Sequence, residues 1–351
     1  MLTYVCILIG LLLLIKGGDF LIEGSVAIAQ RAKLSPMVIG LTVIGFGTSM
    51  PELCVSAQAA WMGSSGIALG NVAGSNICNI ALILGLTAII HPIPASRDTL
   101  CRNMPFFVFT LVLIMAFACT GTIDRWMGLL MLAIIITQVT LEVRHSRQTA
   151  PAKDGRVGES STALPPSGSI TEKPSFPDSQ SGQSGYSAPH STMPLWRAVV
   201  MVILSLAAMV WGADLLVSGA SSLAMSLGTS LGASQAQMER IIALTIVAIG
   251  TSLPELCASI IAARKGETDM AVGNIIGSGT FNILCVVGAS SAIAPIHDAW
   301  APFVTDYAVQ LFFCLLLWLF LRTNRTLQRW EGYVFLCLYV VYIFFIAVSA
   351  N

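Results

Sequence analysis

Gly47-Thr48-Ser49-Met50-Pro51-Glu52 and Gly250-Thr251-Ser252-Leu253-Pro254-Glu255 each set a proline and a glutamate in the middle of a long apolar run. An acid at the centre of a membrane helix costs roughly 2.5–3.5 kcal/mol on insertion scales. Two acids kept in the same six-residue setting, in corresponding halves of one chain, read as a functional pair. Aligned without gaps, Gly47 to Gly85 and Gly250 to Gly288 agree at roughly half their positions, which marks one duplicated unit.

Each copy ends in a second glycine-rich break, Gly70-Asn71-Val72-Ala73-Gly74-Ser75-Asn76-Ile77-Cys78-Asn79 and Gly273-Asn274-Ile275-Ile276-Gly277-Ser278-Gly279-Thr280-Phe281-Asn282. Thr48 and Ser49 lie four and three residues before Glu52, and Ser75 lies four before Asn79; Thr251, Ser252, Glu255, Ser278 and Asn282 repeat both spacings. On a helix such neighbours share a face, with Cβ atoms about 5–6 Å apart. Each half can aim a small cluster of oxygens at one point. Pro51 removes a backbone donor, so the helix is expected to break or kink near Gly47, and carbonyls freed in hydrocarbon need partners, for which a cation is suited.

Composition sets the solvent. Of 351 residues 55% are hydrophobic and 10% charged, and the mean hydropathy is +0.80, so the chain reads as an all-α polytopic membrane protein. Spans of about 20 apolar residues are expected at 2–30, 36–61, 67–91, 103–121 and 124–143, then at 195–226, 238–263, 270–294, 301–321 and 328–349. The first carries no basic n-region or small-residue cleavage site and reads as a retained helix. The organisation is a five-helix repeat over 1–143, a linker over 144–194 and a second five-helix repeat over 195–351. The linker is rich in Ser, Pro, Gly and Gln and cannot bury enough apolar surface to order itself.

An odd number of spans per half inverts the second repeat in the bilayer. Ten transmembrane helices as two inverted repeats with broken core helices are the pattern of secondary transporters, whose substrates bind near the midplane between the copies. Glu52 would then face Glu255. With the N-terminus outside (periplasmic), Arg31, Lys33, Arg97, Arg102, the 144–194 loop, Arg264, Lys265, Arg322, Arg325 and Arg329 all face the cytoplasm, whereas the reverse orientation violates the positive-inside rule at nearly every loop. A bacterial inner membrane is the expected location.

The remaining features are quieter. The nine cysteines are spaced too irregularly for a metal or disulfide framework and read as reduced packing residues. Asp19 and Asp214, each beside small residues in the first and sixth spans, are either structural acids or contributors to ion entry. They also admit a remote rival, an intramembrane aspartyl protease with these two as its dyad. A calcium receptor that does not transport is another. Gly228 to Glu239 is an insertion peculiar to the second half. No nucleotide-binding motif occurs, and neither an enzyme, a pump nor a nucleic-acid partner is indicated; the partners are small cations and the lipid bilayer.

The paired Gly-Thr-Ser-x-Pro-Glu and Gly-Asn-x-x-Gly-Ser-x-x-x-Asn motifs resemble the alpha-repeats of the calcium/cation antiporter superfamily, in particular the sodium/calcium exchanger branch and its prokaryotic members. The resemblance covers both halves apart from the linker. It implies a ten-helix inverted-repeat exchanger that moves Ca²⁺ against Na⁺ by alternating access without a cofactor. It further implies that Thr48, Ser49, Glu52, Ser75, Asn79, Thr251, Ser252, Glu255, Ser278 and Asn282 line the cation sites, with Glu52 and Glu255 as the Ca²⁺ carboxylates and the backbone carbonyls of Gly45 and Ala248 as further candidates. Exchangers of this group often carry Asp at the position of Asn282, so the departure bears on the counter-ion, with H⁺ (or a K⁺ dependence) as the alternative. The third span reads Gly-Asn-Val-Ala-Gly-Ser, without the glutamate that the calcium/proton branch places after Gly-Asn.

Overall fold

Pro51 has no N–H to offer the carbonyl of Gly47, and the helix that enters at Pro36 stops within two residues of it. In a computed structural model of the chain, which describes residues 2–149, 193–230, 250–297, 299–300 and 303–349, this segment runs as α2 (Pro36–Ile39), a π-helical turn (Gly40–Ile44) and α3 (Gly45–Thr48). Ser49 (φ −82°, ψ 4°) breaks it, and α4 (Met50–Trp61) restarts at an angle of 46°. The second half repeats the turn and the restart. Ser252 adopts φ −91°, ψ 6°, and a helix runs from Leu253 to Arg264. In both copies proline takes the second helical position, where a missing N–H costs nothing, and the glutamate takes the third, at the positive end of the helix dipole.

The other elements of the first half are α1 (Leu2–Ala32), α5 (Ser65–Cys78), α6 (Gly85–Ile90), α7 (Met104–Ala118) and α8 (Arg125–Thr149). The second half adds α9 (Leu195–Ser230), α10 (Leu253–Arg264), α11 (Thr268–Phe281), α12 (Gly288–Ile293), α13 (Val304–Asn324) and α14 (Arg329–Ser349). π-helical turns at Asn79–Leu84 and Asn282–Val287 join α5 to α6 and α11 to α12, each opening on an asparagine singled out above. Insertions of this kind gather at functional sites.

Among the described residues seven helices are long and apolar enough to cross a membrane, or eight with the bent Pro36–Thr48 and Met50–Trp61 pair as one span. The chain is thus an all-helical multi-pass membrane protein. Ten spans are expected from the sequence; of the seventh, 238–263, only the part from Gly250 onward is described. The 66–90 and 268–293 spans are 72% and 94% buried, against at most 33% for the other five, so these two form the centre.

Four two-residue strands tie the halves together. β1 (Ile93–Pro94) follows α6 and pairs antiparallel with β4 (Thr326–Leu327), which precedes α14; β3 (Ile296–His297) follows α12 and pairs with β2 (Thr122–Ile123), which precedes α8. The helices trade partners in the same way, α6 packing on α14 and α12 on α8. The exchange is reciprocal between the halves.

Two boundaries differ from expectation. Helix α8 continues to Thr149, so residues 144–149 are helix rather than linker; Ser146 accepts a hydrogen bond from the Ser35 N–H at 2.7 Å and Glu142 pairs with Arg102 at 3.2 Å, contacts that hold polar residues in the helix. The fourth span begins as a π turn at Thr99–Asn103 and ends at Ala118, short of 121. The linker proper, most of the Gly228–Glu239 insertion and Ala248 lie outside the described residues. All nine cysteines are free thiols.

Candidate functional site

Glu52 and Glu255 are both fully buried, and each is braced through its own backbone. Asn71 Nδ2 donates to the Glu52 carbonyl at 3.3 Å and to Ser56 Oγ at 2.9 Å; Asn274 Nδ2 donates to the Glu255 carbonyl at 3.3 Å and to Ser259 Oγ at 2.9 Å. The repeat of both distances means that each helix beginning just before the glutamate is pinned to its neighbour (α4 to α5, α10 to α11) at the residue that carries the carboxylate.

The contacts then cross between the halves. Ser75 Oγ donates to Glu52 Oε1 at 3.0 Å and lies 3.4 Å from Ser252 Oγ, while Asn282 Nδ2 donates to Ser75 Oγ at 3.2 Å. On the other side Thr48 Oγ1 lies 3.3 Å from Ser278 Oγ and donates to Asn274 Oδ1 at 3.3 Å, and Ser278 Oγ donates to the Gly45 carbonyl at 3.3 Å. Thr48, Glu52, Ser75, Ser252, Ser278 and Asn282, expected as site residues, are therefore linked in contacts that join the two copies. Asn79 and Ser49 are buried beside them without a side-chain partner. Thr251 is half-buried in the turn before α10. The Gly45 carbonyl is within the cluster, engaged by Ser278 Oγ and by the Ser49 N–H at 3.2 Å.

Six buried oxygens in this group have no hydrogen-bond partner: Ser49 Oγ, Glu52 Oε2, Asn79 Oδ1, both carboxylate oxygens of Glu255 and Asn282 Oδ1. A buried polar atom left unpaired costs about 1–3 kcal/mol, more when charged. Six together, two carboxylates among their sources, match in number and in hardness the 6–8 oxygens that a calcium ion takes. Among the described residues no three His, Cys, Asp or Glu side chains group to hold a metal; here the two acids are supplemented by neutral hydroxyl and amide oxygens.

Sequence reasoning did not assign Asn71, Asn274, Ser56 and Ser259 to the site. The signal was present, because Ser56 and Ser259 each stand four residues after the glutamate and the Gly-Asn pair recurs in both copies. Asp19 and Asp214 stay outside it. Asp19 pairs with Lys265 Nζ at 3.4 Å, and Asp214 is exposed. Helices α1 and α9 run antiparallel, with Gly10 against Gly212 and Gly24 against Ala198 and Val202. Asp214 therefore lies level with the region of Gly10, and Asp19 about 13 Å further along at 1.5 Å per residue. No aspartyl dyad forms. Asp19→Asn combined with Asp214→Asn is expected to leave ion flux within about threefold of wild type, measured in proteoliposomes; complete loss would move these acids into the pathway.

The model of the sodium/calcium exchanger protein family matches residues 2–143 and 197–348. CaxA of Alkalimonas amylolytica is 37% identical over 339 residues, covering 96% of each chain. The sodium/calcium exchanger MaX1 of Methanosarcina acetivorans is 30% identical over 364 aligned positions, 97% of each chain. Among solved structures, that of the sodium-calcium exchanger NCX_Mj soaked with Na⁺ and Ca²⁺ matches with a TM-score of 0.74 at 31% identity, over 98% of both chains.

Proposed function

The chain belongs to the sodium/calcium exchanger protein family, and from that premise we propose that it exchanges Ca²⁺ for Na⁺ across the membrane by alternating access. The observation that carries this reading is the buried glutamate pair, one from each half, with most of its carboxylate oxygens unpartnered and its neighbours bonded across the halves. Two formal charges neutralise one Ca²⁺ or two Na⁺, not both. Mutual exclusion at a shared pair of acids couples the two fluxes without ATP.

The reciprocal strand and helix pairings support two inverted five-helix repeats, 1–143 and 195–351. In such a repeat each glutamate sits at the N-terminus of a half-helix at mid-membrane depth, as in other inverted-repeat transporters. The distribution of basic residues supports an N-terminus outside a bacterial inner membrane with the 144–194 connection in the cytoplasm. Helices α1 and α9 pack mainly on each other, which suits a unit that moves across the core to open the site to one side and then the other.

One observation favours a second counter-ion. Asn282 is neutral, so no third carboxylate is available to hold additional Na⁺, and protonation of a glutamate would serve in its place. The discriminating experiment is calcium-45 uptake into proteoliposomes with Na⁺, K⁺ or H⁺ gradients imposed one at a time. Uptake is expected to follow the outward Na⁺ gradient. Uptake that responds only to the pH gradient would replace sodium by protons, and uptake indifferent to every gradient would overturn exchange itself.

A further inference from the structure

Among the buried positions at which the two copies differ, Asn76 of the first aligns with Gly279 of the second. Asn76 is fully buried and its side chain crosses to the other copy, where Nδ2 donates to the Gly279 carbonyl at 3.2 Å and Oδ1 accepts from Asn282 Nδ2 at 2.9 Å. A backbone carbonyl can only accept. It therefore fixes which end of the Asn76 amide faces it, and the other end, an acceptor, must meet the Asn282 NH₂. Ser75 Oγ, 3.2 Å from the same nitrogen, receives its second proton. The chain of donors and acceptors uses both protons of the Asn282 amide and leaves Asn282 Oδ1 as its free end, buried and without a partner. Asn79, the counterpart of Asn282, has no such clamp, and both ends of its amide are unpartnered.

We infer that Asn76 is a positioning residue that makes position 282 an oxygen donor to the transported cation and excludes its NH₂ from the ion. The inference rests on the cation-exchange reading for what the oxygen binds, but the clamp itself does not. It also gives the neutral side chain at 282 a reason: a carboxylate there would set one acceptor against another, Asn76 Oδ1.

A double-mutant cycle on the apparent KM for calcium tests it, using wild type, Asn76→Ala, Asn282→Asp and the double variant in proteoliposomes. An amide has a wrong end and a carboxylate has none. Asn76→Ala is expected to raise KM about fivefold, by more than it lowers the maximal rate. Asn282→Asp raises KM in the presence of Asn76, where acceptors collide, and lowers it when Asn76 is alanine. Independent sites add to within about twofold, whereas coupled ones depart by more; a coupling of at least about fivefold is expected. Additive effects, or a fall in maximal rate with KM unchanged, would overturn the positioning role.

A second measurement needs no change at Asn76. In ¹⁵N-asparagine-labelled protein, the side-chain amide protons of Asn282, assigned by their loss in Asn282→Asp, are expected to exchange at least about tenfold more slowly than those of Asn79. Equal rates would remove the clamp. Failure of the wild type to move calcium would instead sink the exchange reading and leave the amide result standing on its own.

Discussion

Glu52→Gln or Glu255→Gln is expected to abolish gradient-driven calcium flux, with a loss of at least about a hundredfold in either variant. Glutamine keeps the shape and one oxygen of the side chain but removes half of the charge that balances a divalent cation. Breaking a buried ion pairing by removing one partner costs about 3–5 kcal/mol, and each 1.36 kcal/mol is a factor of ten. The bracing of the helix end is untouched, because Asn71 and Asn274 bond the glutamate carbonyls rather than the side chains, so the variants should remain folded. The larger deficit is expected at Glu255, both of whose oxygens are unpartnered, than at Glu52, one of whose oxygens accepts from Ser75. Calcium-45 uptake and equilibrium calcium binding on the purified variants measure the effect. Undiminished uptake by either one is incompatible with a shared carboxylate pair.

The duplicated hexapeptide made much of this site legible. A proline two residues into a restarted helix and an acid in its first turn are local features, and local chemistry fixes them: the break expected near Gly47 falls at Ser49 because the donor lost at Pro51 frees the carbonyl four residues back and the chain bends between the two. What depends on distant neighbours was harder to read. Composition marks 144–149 as linker, yet those residues are helical, and Ser35 and Arg102 lie against the end of that helix at Ser146 and Glu142. The orientation of the Asn282 amide is decided by Asn76 and by a carbonyl at Gly279, and only the asymmetry between those two positions is visible in the sequence. Likewise nothing in the spacing of Asp19 announces Lys265, its partner 246 residues away.

Gly277→Val is expected to eliminate transport and to lower the thermal stability of the protein in detergent. Gly273 and Gly277 stand one turn apart on α11, the small-xxx-small spacing that lets membrane helices touch backbone to backbone, and they face the Pro36–Thr48 segment. A Cβ on Gly277 would collide with the Leu41 carbonyl oxygen and lie 2.7 Å from Leu41 Cα; one on Gly273 would lie 2.6 Å from the Met37 carbonyl oxygen. The contact is returned from the other side, where a Cβ on Gly45 would lie 2.9 Å from the Ser278 N. The atoms in the way are backbone, so no rotamer change relieves them, and extra methyl groups in a packed core typically cost 1–3 kcal/mol or more. Separation of the two segments by even 1 Å would carry Ser278 Oγ out of reach of the Gly45 carbonyl and of Thr48 Oγ1, each now at 3.3 Å. The contacts that join the copies on that side would open. Gly277→Ala should show an intermediate effect, since one methyl group meets the same carbonyl but no branched carbon follows it. A Gly277→Val protein with wild-type melting and wild-type calcium flux would mean that α11 and the Pro36–Thr48 segment do not need this close approach to form the site.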